Sequence, residues 1–285
     1  MKRFLKYSAG VLLLLVTAAC SKPKEGHFRV TADYDHLHQA DFFIYSDFAG
    51  FGRLDTLHVF RGKFEYEGPL ANPAVITVQY PNFTTTTFVA RPGESIEIDA
   101  DVNELQKLEI TGSEENEKLT EFRHSIAGKS LAEQTKMAKD FIEKNASSLA
   151  AVAVFVDFYA LKEQFECQDL PLLEKLYKAQ KNEPCVVELY TRLKPLLSKA
   201  KGAVIPDFAG EGEGYVLFTI SSEQRGNVMR YQLENRQTEK GVRFREITMD
   251  NNPDSVIQAY GVRFVPEVVH VDSKGKVLER TCELK

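Results

Sequence analysis

Between His27 and about Thr111, apolar and polar residues alternate in short runs broken by turn residues. "HFRVTADYD", "DFFIYSD", "DTLHVF", "KFEYEG", "AVITVQY", "TTTTFVA", "SIEIDA" and "KLEIT" are rich in Val, Ile, Phe, Tyr and Thr. Arg61-Gly62, Pro69, Asn72-Pro73, Pro81-Asn82 and Pro92-Gly93 separate them. Ile96 and Ile98 alternate with Ser95, Glu97 and Asp99, as a half-buried strand requires. Evenly spaced short strands with such punctuation predict an antiparallel sandwich or barrel-like domain over residues 27–112. A hairpin is expected with its turn near Arg61-Gly62.

From Ser113 the period changes. Ser113 with Asn116 and Glu117 predicts a helix start, and Leu119, Phe122 and Ile126 follow at helical spacing. "SSLAAVAVFVDFYALKEQF" is apolar almost all round, which predicts a helix buried on most faces. Pro171 and Pro184 suit first-turn positions. Pro195 is expected to kink its helix, interrupt it or mark a new start. Residues 113–201 therefore form a helical connector.

Residues 202–285 predict strand, helix, strand, helix, strand, strand. The elements are "GYVLFTIS", "SEQRGNVMRYQLENRQTEK", "VRFREITMD", "NPDSVIQAYG", and a hairpin of "EVVHVD" and "KVLERTCE" across Ser273-Lys274-Gly275. The fold class is thus α+β and multidomain.

The first nineteen residues stand apart. Lys2, Arg3 and Lys6 precede the apolar run "VLLLLVTAA", which is shorter than the about 20 residues needed to span a bilayer. A charged start, a short apolar core and a small-residue cleavage site make a secretory signal over residues 1–19. With Cys20 directly after the cleavage position, the segment resembles a bacterial lipoprotein signal. That resemblance implies lipidation of Cys20, a short tether over residues 20–26 and membrane attachment through the lipid. Ser21 after the cysteine implies the outer membrane, facing the periplasm. The formal charge is −5, and −8 once Lys2, Arg3 and Lys6 are removed. With no basic block, nucleic acid is excluded as a partner.

Two further resemblances follow from the residues. "DTLHVFRGKFEYEGPL", "FVARPGESIEIDAD" and "LEITGSEENE" look like the small β domain, without assigned activity, that precedes thioredoxin-like domains in many Gram-negative lipoproteins. "GAVIPDF", "YVLFTISS" and "YGVRFVPEVVHVDSKGKV" resemble, in order, three segments of the thioredoxin-like family in its membrane-tethered thiol–disulfide oxidoreductase branch. This implies a thioredoxin-like domain over residues 202–285, a cis peptide bond at Val265-Pro266, and a redox pair near Glu223 to Gly226. "EQRG" stands there instead, and the sequence lacks the family's usual last helix.

Thioredoxin-type chemistry needs a thiolate at a helix N-terminus and a second thiol to resolve the mixed disulfide. Ser222, Glu223, Gln224, Arg225 and Gly226 therefore make a degenerate redox site. Ser221 and Gln224 have the form of a capping box. Ser221 or Ser222 as a nucleophile would need a base, and His270 is the nearby candidate in sequence. Cys185 follows a proline at a helix start, where a thiol pKa can fall, but a small buried residue is the plainer expectation. Cys167 and Cys185 could staple neighbouring helices. His36 and His38, with Asp33 and Asp35, form the local metal-like cluster, and a solvated turn is the expected outcome. No cofactor or metal is implied. Three functions remain: a redox-inactive envelope lipoprotein with a binding or structural role, an oxidoreductase-related protein using a non-standard cysteine, and a peptide- or glycan-binding module using the groove beside Pro266.

Overall fold

The computed structural model describes residues 22–48, 51–162 and 164–284. The signal segment and Cys20 lie outside the described residues. Eight strands form the N-terminal sheet: β1 (His27–Asp35), β2 (Gln39–Tyr45), β3 (Asp55–Phe60), β4 (Lys63–Pro69), β5 (Ala74–Gln79), β6 (Thr85–Ala90), β7 (Ser95–Asp101) and β8 (Glu109–Thr111). Their order is β6-β5-β2-β3-β4-β1-β7-β8, a nearly closed barrel-like sheet. The turn at Arg61-Gly62 joins β3 to β4 as expected, with both residues in the left-handed region. Gly62 is required there, because a Cβ would lie 2.4 Å from the Tyr34 carbonyl oxygen.

The sheet is not purely antiparallel. β1 and β7 pair in parallel, with Val30 opposite Ile96 and Ala32 opposite Ile98. Alternation along each strand fixes which face is buried but not which distant strand lies beside it. Inward residues such as Phe28, Val30, Tyr34, Phe42, Ile76 and Phe88 fill the barrel. β5 and β6 are buried on both faces: Ile76 and Phe88 turn into the barrel, while Val75 and Val89 belong to the core of the helical region. The apolar runs over residues 74–76 and 88–90 reflect this double burial.

The connector contains α1 (Glu114–Ile126), α2 (Leu131–Lys144), α3 (Leu149–Phe155), α4 (Leu170–Ala179) and α5 (Pro184–Ser198). Ser113 caps α1 by accepting from the Asn116 amide. One face of α1 closes the barrel. The buried Asn116 side chain accepts from Val89 N (2.8 Å) and donates to Val89 O (2.9 Å) on edge strand β6. One turn on, the Thr120 hydroxyl accepts from Ile110 N (2.9 Å) and donates to Ile110 O (3.1 Å) on edge strand β8. Arg123, a further turn on, donates to Thr87 of β6. Residues spaced by four and three share a helix face. Side chains thus supply the pairing that a ninth strand would supply, and edge groups that would otherwise be buried without partners are satisfied.

The expected single helix after Ser147 is instead two pieces. α3 widens into a π-helical turn over Val156–Ala160 and stops at Leu161. α5 runs through Pro195 without a new start. Pro171 and Pro184 do occupy first-turn positions.

The C-terminal unit has β9 (Gly214–Thr219), α6 (Gln224–Lys240), β10 (Arg243–Thr248), α7 (Pro253–Tyr260), β11 (Glu267–Val271) and β12 (Val277–Thr281). Its sheet order is β10-β9-β11-β12; β10 runs parallel to β9, and β11 is antiparallel to both neighbours. Val216 and Phe218 face the core beside α7, while Leu217 faces Met229 and Leu233 of α6. Gly241 and Gly261 end α6 and α7 in the left-handed conformation. The connector meets this unit through α5 against α7. No helix among the described residues is long and apolar enough to cross a membrane.

Candidate functional site

The junction between β9 and α6 carries Ser222, Glu223, Gln224, Arg225 and Gly226, the residues expected to form a degenerate redox site. Ser221 does not open a capping box. Its backbone N–H (2.8 Å) and its hydroxyl both donate to the Asp250 carboxylate, and this holds Asp250 below the usual carboxylate range. With the serine captured from β10's far end, α6 starts later, and Glu223 caps it by accepting from Arg225 N at 3.0 Å. Ser222, Gln224 and Arg225 are exposed, and Glu223 is half-buried.

Gly226 is buried, and its environment matters most. A Cβ there would lie 2.9 Å from the Thr219 methyl group. Thr219 cannot easily yield. It is buried, and its hydroxyl donates to Glu246 Oε1 at 2.7 Å. Glu246 is gripped by both guanidinium arms of Arg230, whose third nitrogen donates to Asn227. The Arg230 hydrogen bonds hold the Glu246 carboxyl below its ordinary range. A side chain at position 226 would therefore crowd Thr219.

His270 does not meet Ser221 or Ser222. His270 pairs across the sheet with Tyr215, stacks on its ring at 4.6 Å and lies 3.2 Å from Glu213. That is the opposite end of β9 from Ser221.

The Val265-Pro266 bond is cis. Glu267, the next residue, pairs with Phe218, so Pro266 lies at the same sheet end as the junction. Cys282 joins them there: it is exposed, and its carbonyl accepts from Arg225 at 3.2 Å. Glu267 and Arg280 form a buried bidentate pair. Arg280 also donates to the carbonyls of Lys199 and Tyr260, tying the β11–β12 hairpin to the ends of α5 and α7. Sequence reasoning missed this clamp; its only local signal is a carboxylate opening the mostly apolar "EVVHV".

The other predicted residues lie elsewhere. Cys167, Cys185 and Cys282 are all free, so the Cys167–Cys185 staple does not form. Cys185 is buried, and burial, with Glu183 adding to it, pushes its thiol up to about 11. Desolvation outweighs the favourable helix start, leaving a poor nucleophile. His36 bonds Asp101, His38 packs on Phe60, and Asp33 pairs with Lys63. No cluster of His, Cys, Asp and Glu among the described residues could hold a metal ion.

A second site was not legible in the sequence. A cleft of about 810 Å³ opens between the barrel seam and helices α1 and α3. Leu119, Phe122, Ile126, Val154 and Phe158 wall it, and Arg123 and Asp157 line it. Asp157 projects from the π-helical turn, accepts from Thr87 at 2.8 Å and lies 3.7 Å from Arg123. Solvent reaches it through the cleft, while the surrounding protein raises its pKa by desolvation against the pull of Arg123.

Residues 28–119 match the family described as Domain of unknown function (DUF4369). The match covers the barrel and the start of α1. No curated protein matches the chain.

Proposed function

We propose that the protein is a lipid-anchored envelope protein whose C-terminal unit is a thioredoxin-like module without thiol chemistry, serving binding or structure. Support for the module comes from the strand order β10-β9-β11-β12, a helix directly after β9, and a cis proline opening β11. Support for the loss of redox work comes above all from Gly226 itself, which carries no sulfur and where even a Cβ would lie 2.9 Å from the Thr219 methyl group. Glu223 at the preceding position caps the helix and offers no sulfur. Anchoring rests on the signal-like segment and Cys20.

A peptide-binding role for the same sheet end is favoured by its exposed apolar side chains. Phe264, two residues before Pro266, is 49% exposed, and Val228 and Tyr231 on α6 are exposed as well.

One measurement tests both halves: the intact mass of the protein purified from the envelope of a bacterial host, alkylated after denaturation without reductant. The expected species begins at Cys20, carries fatty acyl mass there, and shows three alkylated thiols at Cys167, Cys185 and Cys282. An unlipidated N-terminus would overturn the anchoring, and a mass two hydrogens short with only one alkylated thiol would overturn the three free thiols on which the redox-inactive reading rests.

A further inference from the structure

The α1 face seals the barrel at Asn116, Thr120 and Arg123, and the seam beyond Arg123 is left open. The cleft occupies that stretch, between the start of β6 and the link from β7 to β8. Its size falls within the range of about 300–1,000 Å³ typical of small-molecule sites. It reaches the barrel core: Tyr80 lines it, bonds Thr86 at 3.1 Å and meets the Tyr34 hydroxyl at 3.3 Å.

The charges in the cleft cancel. Arg123 faces Asp157, and at the rim Lys107 pairs with Glu104 at 2.8 Å. Arg123 is in no position to receive an anion, because its Nη2 is committed to Thr87 and its Nη1 is sealed from solvent. Asp157 is different. Thr87 donates to one of its oxygens, and the other carries no protein hydrogen bond among the described residues. An acceptor is thus free beside Leu119, Phe122, Val154 and Phe158, while Thr84, Thr85, Asn103 and Gln106 contribute polar lining elsewhere in the cleft.

We propose that this cleft binds a small uncharged molecule with an apolar body and a hydrogen-bond donor, a hydroxyl or an N–H, that meets Asp157. The apolar body displaces water from the aliphatic and aromatic side chains, and the donor meets the Asp157 oxygen that Thr87 leaves free. The site belongs to the β domain and connector alone, so it stands or falls independently of the C-terminal unit.

The probe is 1-N-phenylnaphthylamine, an uncharged aromatic amine with one N–H that fluoresces on leaving water. Titrated into the purified protein, it should bind saturably at one site. The anionic analogue 8-anilinonaphthalene-1-sulfonate should bind at least about tenfold more weakly, since Arg123, committed to Thr87 and sealed from solvent at Nη1, offers its sulfonate no partner. Thr85→Trp, at an exposed rim position on β6, should narrow the mouth and weaken the neutral probe at least about tenfold with the unfolding midpoint unchanged. Asp157→Leu should weaken it too. Absence of saturable binding, equal binding of the sulfonate, or undiminished affinity in Thr85→Trp would overturn the proposal.

Discussion

Gly226 lies so close to Thr219 that a Cβ would stand 2.9 Å from the threonine methyl group. Thr219 is held by Glu246, and Glu246 by Arg230, so strand β9, strand β10 and helix α6 share one charged network. Because Arg230 favours the ionised form, the folded-state pKa of Glu246 lies below its unfolded value of about 4.3. The stability it contributes is therefore present above that value and is lost as pH falls through the lowered one. Glu246→Gln should cost about 1–2 kcal/mol at pH 7. The gap from wild type should stay level down to about pH 5 and close below about pH 4, as followed by urea midpoints. Little of this was legible locally. Ser221 and Gln224 spell a capping box, but Asp250, distant in sequence, takes the serine, and only tertiary structure supplies that competitor.

Among the elements, α1 has the clearest architectural task. Asn116→Ala would leave the N–H and C=O of Val89 buried and unpaired, at about 1–3 kcal/mol for each group. A loss of about 2–6 kcal/mol, with an unchanged slope in urea unfolding, is expected. The strands of the barrel and the start of α1 were readable because alternation and capping are local signals. The parallel pairing of β1 with β7 was not, since register between strands far apart leaves no local trace. The π-helical turn was equally hidden: "AVFVDFYA" is apolar enough for a continuous helix, and the turn that projects Asp157 arises where that helix meets α1 and β6. The cleft went unseen for the same reason.

Across the whole molecule, a barrel domain sealed by a helix is joined through the connector to a second sheet. Arg280 fixes the join from one side, reaching α5 and α7, while Arg263 lies 3.7 Å over the Phe165 ring and donates to the Lys162 carbonyl. The β9–α6 junction, Pro266 and Cys282 gather at one sheet end, whereas Cys167 and Cys185 stay in the connector. Cys282 thus stands at that end without a described thiol partner beside it, and a disulfide exchanger needs two. The central claim is that this arrangement carries no thiol–disulfide turnover. Its most direct test is the reduction of insulin disulfides by dithiothreitol at neutral pH in the presence of the purified protein. The rate should equal the protein-free blank, both for wild type and for a variant with Cys167, Cys185 and Cys282 replaced by Ser. A wild-type rate clearly above the blank that disappears in the triple variant would contradict the account.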